Sequence, residues 1–359
     1  MSDTQKEANE KPIVAQADFE RLTALVSAEF QVEESLMEQG IPTYYLKQPQ
    51  ETKQAFLKLL KGLEPLRFIA ILRKQSGRIV LRVFSTPPTK PSKTLLNWIL
   101  FFATIVTTFL TGYMLSGGLL DPLVGGAAFT ISIVAVLGSH EMGHKLTADR
   151  KGIEATLPYF IPGPPPFGTF GAVIMQKSLP ANKDALFDIG ASGPIIGFII
   201  ATVVLIIGLP LSVPSPPVEG IPVGMPVLSL LIEWLLSNLK LMPQVLEGQV
   251  LLLHPVAFAG LVGVFVTMLN LLPVAQLDGG HVVRSTSGEK VRIVLSILSI
   301  IFLFYEGAYL MAFLVLFMSF YRHPGPLDDV SSLSGRRKLL AAVLVVVFVL
   351  CTFPFEPFL

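Results

Sequence analysis

Two of the chain's 5 histidines stand four residues apart in Gly138-Ser139-His140-Glu141-Met142-Gly143-His144. On a helix that spacing stacks them on one face a turn apart, so both imidazoles can hold one divalent ion while Glu141 reaches a water beside it. An ion held this way lowers the pKa of the water toward neutrality and polarises a carbonyl. Glu141 then takes the proton and later delivers it to a leaving amine, which is peptide hydrolysis. The single cysteine, Cys351, lies in the last apolar stretch, which excludes a thiolate cluster and an internal disulfide. The ion is therefore expected to be zinc, one per chain, held by imidazole and carboxylate.

A catalytic zinc takes three protein ligands and keeps one position open. The best third ligand is Asp278, in Asn270-Leu271-Leu272-Pro273-Val274-Ala275-Gln276-Leu277-Asp278-Gly279-Gly280. Pro273 ends the apolar helix before it, and Gly279 and Gly280 allow a tight turn that aims the carboxylate back into the protein. His281 is the rival, because imidazole also suits zinc, and Asp184 and Asp188 are weaker rivals. His254 sits at the wrong end of its apolar segment and reads as a packed or interfacial histidine, and His323, in a charged loop, as a surface one.

These groups must be positioned inside a membrane. Of 359 residues, 52% are hydrophobic and 15% charged, too apolar for one soluble globule. Apolar runs at 95–115, 123–143, 185–211, 250–272, 291–305, 308–320 and 339–353 predict a polytopic α-helical protein of about seven transmembrane helices. The short runs at 291–305 and 308–320 are expected as a tight hairpin, and 225–239 as an interfacial or re-entrant helix. Lys90, Lys93, Lys145, Arg150, Lys151, Arg284, Arg336 and Arg337 fall in alternate connections, which places those connections and the N-terminus in the cytoplasm. The polar start of the chain lacks the pattern of a signal or transit peptide and fits a prokaryotic cell membrane. A formal net charge of +1 excludes the field that would attract nucleic acid, and leaves lipid and membrane proteins as partners.

Residues 1–90 have the composition of a small soluble α+β domain, and 91–359 of a membrane domain with its catalytic core at about 123–280. Helix is expected at 19–39 and 52–63, and strand at 43–46, 67–73 and 78–84, with a hairpin turn at Gln75-Ser76-Gly77. A stiff linker carries Pro87, Pro88 and Pro91. Between the two motifs, Pro158, Pro162, Pro164, Pro165 and Pro166 forbid helix, and Gly168-Thr169-Phe170-Gly171-Ala172-Val173-Ile174-Met175 reads as a short strand. A protease must hold its substrate extended, so Gly168, Thr169, Phe170 and Gly171 are candidate substrate-binding residues through β-addition; a re-entrant loop that only packs is the other reading.

His-Glu-Met-Gly-His followed much later by Asn-Leu-Leu-Pro-Val-Ala-Gln-Leu-Asp-Gly-Gly resembles the paired signature motifs of the site-2 protease family, zinc endopeptidases embedded in membranes. The resemblance covers roughly 123–280 and implies that His140, His144 and Asp278 bind zinc, that Glu141 is the catalytic acid and base, and that Asn270 positions or polarises substrate; an interhelical hydrogen bond is the other reading of Asn270. It implies transmembrane protein substrates cut within or near the bilayer. Gly193-Pro194-Ile195-Ile196-Gly197 resembles the family's intervening span, where small residues permit close packing. No PDZ-like domain lies between the motifs, and the chain is somewhat similar to the plastid yellow-green type and its prokaryotic relatives. Two other functions compete: an ion-conducting transporter, and a proteolytically inactive scaffold. Both predict indifference to loss of Glu141.

Overall fold

The structure is a computed structural model that describes residues 16–86, 94–117, 119–217, 224–274, 276–305, 307, 309–320 and 323–352. The described residues form two compact units. The first begins with α1 (Gln16–Glu29), β1 (Val32–Glu38), β2 (Ile41–Leu46), α2 (Lys53–Leu63), β3 (Phe68–Gln75) and β4 (Arg78–Ser85). Its antiparallel sheet has the order β1-β2-β4-β3. In α2, Phe56, Leu59 and Leu63 recur at helical spacing, and in β4 Ile79, Leu81 and Val83 alternate; these faces share one core with Leu22 and Val26 of α1. Ser76 and Gly77 both have positive φ, as the two-residue hairpin turn between β3 and β4 requires.

The helix expected at 19–39 stops at Glu29, and Val32–Glu38 is a strand. Its glutamates favour helix, yet pairing with β2 across a turn at Gln39 and Gly40 overrides that local preference. The unit also recruits chain from far downstream, namely 179–186 and 324–333. The Leu72 N–H donates to the Leu327 carbonyl at 2.9 Å, and the Asp328 N–H to the Ala181 carbonyl at 2.9 Å, so the β3 edge is covered by two further extended segments. Leu327 enters the core, and the Oδ1 atom of buried Asp328 accepts the Val330 and Ser331 amides. The proline linker at 87–91 lies outside the described residues.

The second unit holds α3 (Thr94–Leu115), α4 (Pro122–Arg150), β5 (Tyr159–Pro162), β6 (Thr169–Val173), most of α5 (Lys183–Gly208), β7 (Val213–Ser215) and α6 (Val227–Asn238). There follow β8 (Val250–Leu252), α7 (Pro255–Asn270), α8 (Asp278–Thr286), α9 (Gly288–Tyr305), α10 (Tyr309–Ser319) and α11 (Gly335–Cys351). Among the described residues, α3, α4 and the 183–211 segment are long and apolar enough to cross a membrane, and the chain is a membrane protein. The other four of the seven expected spans correspond to shorter or more charged helices. α7 has 16 residues because 250–252 is a strand paired with β7, and α9 opens on Glu289, Lys290 and Arg292. α10 has 11 residues and α11 has 17.

The hairpin expected at 291–320 is present as α9 packed on α10, with Gly307 at positive φ in the turn. α6, with 12 residues, has the short length expected at 225–239. Leu303, Ala312 and Val315 of the helical hairpin pack against Leu272 and Val274, and Ser296 Oγ donates to the Pro273 carbonyl at 2.6 Å. The pair thus braces the segment that leads from α7 into α8.

Replacing Leu327 by Ala empties a core position of the first unit and is expected to destabilise it by about 2–5 kcal/mol. Hydrogen exchange along β3 should accelerate, most clearly at the Leu72 amide; protection equal to that of the parent chain would contradict this assignment.

Candidate metal centre

α4 carries Asp121 as its N-cap, whose carboxylate accepts the Leu123 and Val124 amides, and it runs without interruption to Arg150. Its last turns hold His140, Glu141 and His144, which are only 4%, 6% and 6% exposed. A cluster of two imidazoles and a carboxylate that has left water is costly in an apolar interior unless another partner completes it.

Asp278 supplies the completion. α7 ends at Asn270, Pro273 prevents its continuation, and α8 starts at Asp278. Gly279 and Gly280 lie inside the first turn of α8, not in the tight turn expected for them. The reason is close approach: a Cβ on Gly279 would overlap the carbonyl oxygen of Leu271, so glycine lets α8 lie against the end of α7. The helix N-terminus also favours the carboxylate electrostatically.

The donor atoms form a nearly equilateral triangle. His140 Nε2 lies 3.1 Å from His144 Nε2, and Asp278 Oδ2 lies 3.2 Å from each. A tetrahedral zinc with bonds of about 2.0 Å has ligand atoms about 3.3 Å apart along each edge. Two imidazole nitrogens and a carboxylate oxygen at this separation, from two segments of the chain, suit one divalent cation with a fourth position to spare. Among the described residues they are the one group of His, Cys, Asp and Glu that meets in this way.

Helix α5 forms the wall behind the ligands. His144 Nδ1 is 2.8 Å from the Ile189 carbonyl; donating its N–H there leaves Nε2 as the lone-pair nitrogen. A Cβ on Gly193 would overlap His144 Nε2, and one on Gly197 would lie 2.9 Å from His140 Nδ1. The small residues of 193–197 therefore accommodate the ligand rings themselves, a role that the sequence motif shows only as helix packing.

Asn270, in the last turn of α7, reaches His140 Nε2 with its Nδ2 at 3.4 Å, and so stands at the edge of the triangle. Glu141 accepts a hydrogen bond from the backbone N–H of Ile174, one residue beyond β6. The antiparallel β5–β6 pair agrees with the expected strand at 168–175. Within it Gly168 has φ +72 and its carbonyl accepts from Thr107 of α3; Thr169 is buried with its hydroxyl donating to the Ile161 carbonyl. Phe170 is 71% exposed, and Gly171, with φ +100, has open space where a side chain would be.

The rival ligands are engaged elsewhere. Asp184 pairs with Lys53 at 3.1 Å, and Asp188 pairs with Lys151 and, through both oxygens, with Arg337. His281 Nδ1 lies 2.7 Å from His323 Nε2. His323, expected at the surface, is buried; burial, then His281, Arg284 and Arg292, push its pKa down to about 3, so it is neutral. His254 caps α7 by accepting the Val256 amide at Nδ1. Sequence reasoning missed Ile189 and Ile174 because both act through the backbone, which any residue type provides.

The sequence profile of Peptidase family M50 matches residues 128–313. The chain is 27% identical over 252 residues to "Probable zinc metalloprotease EGY2, chloroplastic" of Oryza sativa subsp. indica, across 66% of this chain and 45% of that protein. It is 29% identical over 246 residues to "Probable zinc metalloprotease EGY1, chloroplastic" of Arabidopsis thaliana, across 66% of this chain and 44% of that protein. With the Oryza sativa subsp. japonica protein of the EGY1 name the identity is 33% over 183 residues, 48% and 30% of the two chains. The chain thus spans less than half the length of these curated relatives. No solved structure matches it.

The wall of α5 makes a sharp test. Gly193→Ala should lower zinc affinity at least roughly tenfold, because the added methyl displaces a ligand ring. Zinc content of the purified variant, measured against the parent at equal helicity, checks this; full retention of metal would show that the ring has room to move.

Proposed function

We propose that this chain, which belongs to Peptidase family M50, is an intramembrane zinc metalloprotease that hydrolyses peptide bonds in or near the transmembrane segments of other proteins. The observation that carries the reading is the triangle of His140, His144 and Asp278 with Glu141 beside it on a membrane-crossing helix. Zinc is the ion printed in the names of the relatives, and the spacing of the donor atoms suits it. When bound there, zinc supplies Lewis acidity toward a peptide carbonyl and acidifies a water to a pKa of about 7.

The rest is done by the chain. Glu141 takes a proton from the attacking water and returns it to the leaving amine, and the Ile174 N–H aims its carboxylate. Asn270, whose Nδ2 lies 3.4 Å from His140 Nε2, would offer its amide donor to the carbonyl oxygen of a bound substrate, where negative charge develops. The Ile189 carbonyl keeps His144 in one tautomer throughout. The low exposure of the three α4 side chains limits competing water, which strengthens each of these interactions.

We propose the β5–β6 hairpin, 168–171 included, as the substrate-binding element. The Ile174 N–H reaches Glu141, and by strand alternation Ala172 lies on the same edge, up to the irregularity at Gly171. An extended segment added to that edge would run past the metal centre. A transmembrane helix hides its peptide groups in its own hydrogen bonds, so it must unwind before it can be added. Substrates with Gly, Pro or Asn near the cut satisfy this most readily.

The organisation we propose is a soluble module at 1–90 and a multi-pass membrane domain at 91–359, with the catalytic core at about 123–280. The alternation of Lys/Arg-rich connections supports seven spans with the N-terminus on the cytoplasmic side; a prokaryotic cell membrane is the first setting we propose. The chloroplastic location printed for the relatives points to a plastid membrane as the second setting.

Glu141→Gln should keep zinc and lose cleavage of a model membrane substrate by roughly a thousandfold. A variant that keeps cutting would exclude this mechanism, and a transporter or scaffold would be indifferent to the change. With the intact enzyme, replacing helix-weakening residues near the cut by Leu should slow cleavage; unchanged rates in detergent solution would remove unwinding from the mechanism.

A further inference from the structure

α3 lies outside the stretch matched by the family profile, and its apolar sequence carries polar side chains on one buried face, among them Asn97, Thr104, Thr108 and Thr111. Two of its polar groups reach the backbone of the β5–β6 hairpin. Asn97 Nδ2 donates to the Leu157 and Pro158 carbonyls at 2.9 and 3.0 Å, immediately before β5. Thr107 Oγ1 lies 2.7 Å from the Gly168 carbonyl, immediately before β6, and 3.2 Å from the carbonyls of its own helix, so its one proton goes to Gly168.

The prolines explain why the hairpin needs these donors. Pro158, Pro162, Pro164, Pro165 and Pro166 have no N–H, so the hairpin has few donors of its own; the Gly163 N–H donates to the Gly168 carbonyl at 3.1 Å, and Thr107 is the second donor to that oxygen. In apolar surroundings an unsatisfied carbonyl is costly, and water is scarce there. The geometry matches too: ten residues of helix from Asn97 to Thr107 rise about 15 Å, close to the about 13 Å that β5 covers with its flanking residue. Gly168 sits directly on the α3 backbone, where a Cβ would come within 2.8 Å of Thr108 Cα. Phe101 adds an edge contact to Phe160 with ring centroids 5.2 Å apart.

The open end of the same hairpin, where Tyr159 pairs with Val173 and Asn97 holds the Pro158 carbonyl, meets the reaction centre, because there β6 packs on α4 and the Ile174 N–H reaches Glu141. We infer that Asn97 and Thr107 are positioning residues: from α3 they hold both strand entries of the hairpin, and through it they set the place of the Glu141 carboxylate and of the edge along which substrate lies. The inference rests on the proposed protease reading for its consequence in catalysis, but the holding of the hairpin stands apart from it.

Three variants test the inference in the intact protein: Thr107→Val, which keeps the shape and removes the proton; Thr107→Ser, which keeps the hydroxyl; and Asn97→Leu. Hydrogen exchange over 169–174 should accelerate roughly five- to tenfold in Thr107→Val and in Asn97→Leu, and more in the double variant, as expected for lost hydrogen bonds. Exchange along α4 and zinc content should stay at parent values. In the cleavage assay kcat should fall by a similar factor with KM changed less, because zinc and Glu141 remain but are misaligned, and Thr107→Ser should recover most of the loss.

Parent-like exchange in the double variant overturns the clamp. Accelerated exchange with unchanged kcat and KM overturns its role in positioning. A Thr107→Ser chain as impaired as Thr107→Val shows that the hydroxyl is not the grip and overturns it as well. Failure of the protease reading looks different: the parent would then cut no faster than Glu141→Gln, and the exchange measurement still decides whether α3 holds the hairpin.

Discussion

The second unit is organised around one electrostatic demand, the meeting of three donor atoms within 3.2 Å of one another in a site nearly closed to water. Lone pairs on two imidazoles and a carboxylate repel at that distance, and burial removes the solvent that would soften the repulsion. A divalent cation reverses the sign of the interaction. The surrounding helices can then be understood as the means of bringing the atoms together and of preventing other geometries.

Helix–helix approach is the chief of those means. α5 meets the imidazoles backbone-first because Gly193 and Gly197 offer no side chain, and α8 meets the end of α7 because Gly279 offers none. In lipid, helices gain little from burying apolar surface against one another, and such close contacts supply packing and polar interactions instead. The Ile189 carbonyl adds orientation to proximity by holding His144 Nδ1. α9 and α10 act at one remove: they grip the 272–274 segment and so determine where α8 begins.

The β5–β6 hairpin shows the opposite strategy. It is non-helical backbone beside membrane-crossing helices, tolerated only because its polar groups are satisfied by partners in the protein. Asn97 and Thr107 on one side and Glu141 at its end provide part of that satisfaction. The first unit uses sequence in yet another way, closing its β3 edge with segments from 179–186 and 324–333. Each of these segments is continuous in the chain with an element of the second unit, α5 and α11 respectively.

Residue identity and spacing were sufficient for the chemistry. Histidines four apart with an intervening glutamate define a metal-binding helix face whatever the fold, because helical periodicity is local. The long apolar runs, the strands at 67–73 and 78–84 and the Ser76-Gly77 turn were legible for the same reason. Asp278 is already the best third candidate in the sequence; only the tertiary structure shows its carboxylate 3.2 Å from both imidazoles while Asp184 and Asp188 face Lys53, Lys151 and Arg337, pairings of which the sequence carries no record. It alone turned Val32–Glu38 into a strand, buried His323, shortened α7, and enlisted the backbone of Ile174 and Ile189. Those outcomes depend on partners distant in the chain, and a backbone amide or carbonyl has no letter in the sequence by which to announce itself.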